Sequence, residues 1–170
     1  MNLNQAKSVI NDGDIISVLK VPSSKIVDKL ISFWEQSPIF HTFLAVWIDG
    51  ELHALQMDPN SQNIVTIENY AINPLHVLQK PKEIKIDKSD LIRNVSHISY
   101  SLYGAVTAGI EQYFDYVPFI KQKQSNFCSQ YVAEVWNKGG FKPQIKEDLD
   151  PYELELFLLT HNIQKIEINP

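Results

Sequence analysis

The only cysteine of this chain lies in the stretch Asn126-Phe127-Cys128-Ser129-Gln130-Tyr131-Val132-Ala133-Glu134-Val135-Trp136. Apolar residues recur in it at spacings of three and four, which predicts an amphipathic helix. Gly139-Gly140 follows and predicts where that helix ends. Cys128 therefore stands in the first turn, where unpaired backbone N–H groups and the helix dipole favour a thiolate. A free cysteine is more often a small buried apolar residue, so a chemical role needs a histidine to serve it.

His41 is the histidine best placed for that role. It opens the stretch His41-Thr42-Phe43-Leu44-Ala45-Val46-Trp47-Ile48, whose aromatic and β-branched content predicts a central strand. A polar residue at the start of such a strand stands at the rim of a sheet. The alternative is a histidine that ends a strand and meets water.

Asp49-Gly50 predicts a two-residue β-hairpin loop after this strand, with Leu52 to Met57 as the return strand. In that register Gln56 lies on the same face as His41, one diagonal step away. Its amide oxygen could accept the imidazole N–H and orient the ring, which makes Gln56 the preferred third member of a triad. His53 points the other way unless the register shifts by one residue, and Asp58 ranks third.

The other predicted elements complete an α+β arrangement. A strand at Ile15 to Leu19 precedes a helix carrying Ile26 to Trp34. Further strands are predicted at Asn63 to Glu68, Val77-Leu78, Glu83 to Ile86 and Ile163 to Ile168, the last at an edge. Helices are predicted around Leu91, within Tyr100 to Phe114, and after Asp150-Pro151, where a capping box begins. We expect one domain over residues 1–170.

The order of these motifs resembles that of the permuted NlpC-type cysteine hydrolases. Gly13-Asp14-Ile15-Ile16, then His41, then Asp49-Gly50, then Phe127-Cys128-Ser129-Gln130 are similar to the YiiX-like group, related in layout to the lecithin:retinol acyltransferase group. The resemblance implies a circularly permuted papain-like fold, in which a central antiparallel sheet packs against the helix that carries the cysteine. It also implies acyl transfer through a thioester.

The chain departs from that pattern at the third catalytic residue. The YiiX-like group usually has a glutamate there, and this chain has Gln56. In the acyltransferase group the third residue is a histidine twelve positions after the first, which His53 matches. The resemblance favours a peptide or cell-wall-type amide as substrate. The alternatives are a lipid acyl substrate, with Phe33, Trp34, Ile39 and Phe40 as its lining, and a non-catalytic binding protein that keeps the fold.

Composition narrows the classes of partner. The net charge is -5 and no basic cluster occurs, which argues against nucleic-acid binding. One cysteine allows no internal disulfide, and no metal-ligand spacing links it to His41 and His53, so we expect neither metal nor cofactor. The longest apolar run, Leu102 to Phe114, is too short to span a bilayer, and the first residues lack a signal-peptide pattern. These features predict a cytoplasmic protein without a membrane segment.

Overall fold

A six-stranded antiparallel sheet is the main element of the computed structural model, which describes residues 1–21, 38–57, 64–95 and 128–170. Its strands, in the spatial order β4-β3-β2-β1-β5-β6, are β1 (Ile15–Leu19), β2 (Ile39–Ile48), β3 (Glu51–Leu55), β4 (Ile64–Thr66), β5 (Leu75–Leu78) and β6 (Lys165–Ile168). The described helices are α1 (Leu3–Ala6), a 3₁₀ turn (Ile67–Tyr70), α2 (Lys88–Val95), α3 (Cys128–Lys138) and α4 (Pro151–Thr160). The predicted α+β class is confirmed.

The β2–β3 hairpin has the predicted two-residue loop. Ile48 pairs with Glu51 and Val46 pairs with His53, so the register is not shifted. Asp49 and Gly50 have φ values of 50° and 84°, and positive values at both central residues are what a type I′ turn requires. The hairpin therefore fixes which side chains of β2 and β3 share a face.

The two faces of the sheet are buried in two separate apolar cores. On one face, Leu44 and Val46 of β2 pack with Tyr131, Val132 and Trp136 of α3. The next residues along β2 alternate to the other face, where Phe43 and Ala45 pack with residues of α1, β3 and β5. The strands are thus buried on both sides, which explains their nearly continuous apolar sequences.

The cysteine helix α3 is anchored to the sheet at its C-terminal half. Trp136 is fully buried, and its Nε1 donates a hydrogen bond of 2.9 Å to the carbonyl of Gly13. The Gly13 N–H in turn donates to the Ala45 carbonyl of β2 at 2.8 Å. Beyond the helix, the carbonyl of Gly139 accepts from the N–H of Lys85 at 3.0 Å. These bonds hold the C-terminal end of α3 at the end of the sheet where β1 begins.

The remaining predictions concern the start of α4, the edge strand β6 and several shorter segments. Asp150 caps α4 through a complete capping box, and β6 is an edge strand, as predicted. The predicted strand at residues 83–86 is wrong: Ile84 follows a turn, and its N–H donates to Pro81. The predicted strand at 63–68 is shorter, because the chain turns into a 3₁₀ helix after Thr66. The predicted helices at 26–34 and within 100–114 lie outside the described residues.

Asp14, which precedes β1, holds two turns together by its carboxylate. Its Oδ2 accepts from the N–H of Asn11 and its Oδ1 from the N–H of Lys80, both at 2.8 Å, and its side chain is buried. Burial raises the pKa of Asp14 above its ordinary value of 3.8, against the opposing effect of these hydrogen bonds.

The raised pKa predicts a pH-dependent contribution to stability. Because the folded protein holds the Asp14 proton more tightly than the unfolded chain, the contribution is fully present below pH 3.8 and is lost as the pH rises through the folded pKa. We therefore expect the stability of the wild type relative to Asp14→Asn to fall as the pH rises from about 4 to 7. Urea unfolding of both proteins across this range measures the difference. A difference that stays constant with pH would contradict the prediction.

Candidate active site

His41 lies in β2 on the face of the sheet opposite to α3. It shares that face with Phe43, two residues further along the strand, and is half-buried. Its ring centroid is 6.0 Å from that of Phe43 and 6.1 Å from that of Tyr70. The imidazole is therefore held on two sides by aromatic rings.

Gln56 follows β3 directly and reaches the imidazole. Its Oε1 is 3.1 Å from Nε2 of His41, and the residue is only 2% exposed. The hydroxyl of Tyr70 donates a hydrogen bond to the same oxygen. An amide oxygen can only accept, so in the neutral ring the proton is on Nε2 and the lone pair is on Nδ1. Gln56 thus selects the tautomer of His41 that a base acting through Nδ1 needs.

Tyr70 is the site residue that the sequence analysis missed. It ends the 3₁₀ turn after β4, and its ring stacks at 5.0 Å from Phe43 while its hydroxyl meets Gln56. No spacing in the sequence links Tyr70 to His41, because the contact depends on how the chain turns after β4. The only signal of Tyr70 in the sequence is its residue type, an aromatic ring with a hydroxyl group in a polar stretch.

His53 and Asp58 are the predicted alternatives to Gln56 as the partner of His41. His53 pairs with Val46, so its side chain lies on the face opposite to His41, and its Nδ1 is 3.0 Å from the Glu51 carbonyl. The hairpin therefore brings Gln56, and not His53, to His41. Asp58 lies outside the described residues.

Cys128 is the first residue of α3 that the structure describes. It forms no disulfide, and the residue is 9% exposed. The next residue, Ser129, donates from its hydroxyl to the carbonyl of Leu149 at 2.7 Å, which fixes the start of the helix against the segment before α4. The first N–H groups of a helix have no intrahelical acceptor, so a helix that begins at Cys128, as the sequence predicts, would place the thiol in a field that stabilises negative charge.

The helix α3 packs on β2, the strand that carries His41. Its C-terminal end lies where β1 begins, and it packs on β2 and on the core that includes Leu55 and Met57. Eight residues of helix span about 12 Å between Trp136 and Cys128. The buried stripe of α3 and the ring of His41 lie on opposite faces of β2.

The described residues contain no candidate for a metal site or for a membrane-spanning helix. Among the residues that the structure describes, no group of three or more histidine, cysteine, aspartate or glutamate side chains is arranged to hold a metal ion. No helix in the described ranges is long and apolar enough to cross a membrane. The sequence matches no protein-family model, and no curated protein is significantly similar to it.

Proposed function

We propose that this protein is a cysteine hydrolase with a circularly permuted papain-like fold of the NlpC type. In this proposal Cys128 is the nucleophile, His41 is the base and general acid, and Gln56 orients His41. The observation that supports it best is the 3.1 Å contact between His41 Nε2 and Gln56 Oε1. This contact orients the base although the triad contains no carboxylate. Tyr70 strengthens the arrangement by fixing the Gln56 oxygen.

The proposed reaction proceeds in two acyl-transfer steps. Nδ1 of His41 takes the proton of the Cys128 thiol, and the thiolate attacks the carbonyl carbon of an amide. The carbonyl π electrons move to the oxygen and return when the amine leaves with the proton from His41. The thioester on Cys128 is then hydrolysed by a water molecule that His41 deprotonates. The backbone N–H of Cys128, at the start of α3, helps to bind the oxyanion.

An amide or peptide substrate fits the described residues better than a lipid does. Two of the side chains that could have lined an apolar mouth, Ile39 and Phe40, are 1% and 7% exposed and therefore belong to the interior. The other two, Phe33 and Trp34, lie outside the described residues. A lipid acyl chain needs an open apolar surface, which buried side chains do not provide.

The pH dependence of thiol alkylation tests the proposal. Since Cys128 is the only cysteine, every carboxamidomethyl-cysteine formed with iodoacetamide reports on this residue. We expect the alkylation rate to reach its plateau well below pH 8, because an imidazolium beside the sulfur and the start of α3 both stabilise the thiolate. The matched control is the urea-unfolded protein, in which the rate should rise around pH 8.5. A folded thiol that stays inert, or that follows the unfolded profile, would favour a non-catalytic binding protein.

A further inference from the structure

Tyr131 carries a buried hydroxyl group that has no partner among the residues that the structure describes. The residue is 2% exposed, and within the described ranges its OH makes no hydrogen bond. Burial, and to a lesser extent the charge of Glu134, raises the pKa of Tyr131, so the hydroxyl stays protonated across the physiological range. Buried polar groups nearly always have a partner, and each exception calls for an explanation. The side chain is thus a permanent hydrogen-bond donor with nothing to donate to.

The position of Tyr131 in α3 places this donor beside Cys128. The two residues are three positions apart, so they lie on the same side of the helix with Cβ atoms about 5–6 Å apart. Long side chains in a helix point back toward its N-terminus and cover the preceding turn. From these rules we infer that the ring of Tyr131 extends along the turn that begins with Cys128, with its hydroxyl toward the start of the helix.

We propose that the Tyr131 hydroxyl donates a hydrogen bond to the carbonyl oxygen of the acyl group that Cys128 attacks. This inference rests on the proposed function, since it needs Cys128 to be the nucleophile. As the Sγ–C bond forms, the carbonyl π electrons move to the oxygen, and the Tyr131 O–H and the Cys128 N–H both donate to that oxyanion. No proton is transferred from Tyr131. When the intermediate collapses, the electron pair returns to the carbonyl and the leaving group departs.

The inference explains why an unpartnered hydroxyl is kept in the core. A phenylalanine would fill the same space without burying a polar group, so the fold alone would favour phenylalanine. In the reacting complex, however, the buried donor acts in a dry environment, where a hydrogen bond to a developing charge is stronger than in water. The missing partner is thus the substrate oxygen.

Two reagents that attack the same sulfur test the inference on the full chain. p-Nitrophenyl acetate acylates a thiolate through an oxyanion and releases p-nitrophenolate, whereas iodoacetamide alkylates it by displacement of iodide, without an oxyanion. In Tyr131→Phe we expect the rate of Cys128 acetylation to fall about 10²-fold, the loss typical of one oxyanion donor. The alkylation rate should stay within about threefold of the wild type, because the thiolate is unchanged. Tyr152→Phe, at a tyrosine that is 38% exposed on α4, is the matched control and should keep both rates.

Thermal unfolding of the same variants adds a second readout. Because Tyr131→Phe removes a buried hydroxyl that has no partner, its melting temperature should rise by about 2–4 °C or more. A fall in melting temperature would show that the hydroxyl is needed by the fold and would overturn the inference.

The kinetic outcomes separate this inference from the proposed function. A wild-type thiol that reacts with both reagents, with an unchanged acetylation rate in Tyr131→Phe, would overturn the inference and leave the proposed function intact. A wild-type thiol that is alkylated but never acetylated would count against acyl transfer at Cys128 and would overturn the proposed function and the inference together. A wild-type thiol inert to both reagents would overturn the proposed function and the inference together.

Discussion

Replacing Trp136 with alanine is expected to lower the free energy of unfolding by about 3–5 kcal/mol, the range measured for deletion of large buried aromatic side chains. The indole is fully buried between α3 and the sheet, 5.4 Å from the ring of Phe141. Its removal opens a cavity and also leaves the buried carbonyl of Gly13 without the Nε1 donor. Since domains of this size are stable by only about 5–15 kcal/mol, a large part of the stability would be lost.

Equilibrium unfolding in urea measures this effect, and two variants divide it into packing and hydrogen bonding. Trp136→Phe keeps most of the apolar volume but loses the N–H, so it should cost less than the alanine variant. Trp47→Phe is the matched control: its Nε1 also donates to a carbonyl, that of Ile10 at 3.0 Å, but the residue is only half-buried. We expect Trp136→Phe to cost more than Trp47→Phe. A Trp136→Ala protein with less than about 1 kcal/mol of lost stability would show that α3 is not anchored as described.

The hairpin was predictable because its determinants are local. Asp49-Gly50 tolerates two positive φ values, and that fact alone sets the loop length and the pairing of Val46 with His53. The placement of Gln56 beside His41 follows from the same register and from the alternation of side chains along each strand. The cap at Asp150 was predictable for a similar reason, since the capping box is read from four consecutive residues.

Features that depend on distant parts of the chain were not predictable. Residues 83–86 alternate like a strand, but the chain there turns at Pro81 and meets Gly139 after α3, and none of the described strands pairs with it. Tyr70 contacts Gln56 only because the chain leaves β4 in a 3₁₀ turn. The choice of face for α3 is likewise a packing outcome, because both faces of β2 are equally apolar in sequence.

The face on which α3 packs gives the proposed site its particular geometry. His41 and Gln56 are joined on one face of the sheet, while α3 lies on the other. The proposed Cys–His pair would therefore have to form around the end of the strand and not across the middle of the sheet. That requirement makes the histidine variant the most demanding test of the proposed mechanism.

Replacing His41 with alanine is expected to lower turnover of an amide substrate by about 10⁴-fold, the loss typical of a disabled catalytic triad. Without the imidazole, Cys128 loses both its base and the group that protonates the leaving amine. The alkylation profile should change as well: its midpoint should move up to about pH 8.5, the ordinary value for a thiol. The midpoint is a better readout than the rate at one pH, because a thiolate of lower basicity is also a weaker nucleophile.

Variants of Gln56 and His53, the two candidate partners of the His41 ring, show whether the effect is specific. Gln56→Leu keeps the imidazole but removes the acceptor at 3.1 Å, so we expect a smaller loss than in His41→Ala, about 10²-fold in turnover. His53→Ala should retain wild-type turnover, since the hairpin places that ring on the opposite face of the sheet. If His53→Ala abolished turnover while Gln56→Leu did not, His53 would be the third member of the triad. If His41→Ala left the alkylation midpoint unchanged, the thiol and the imidazole would not meet at the strand end.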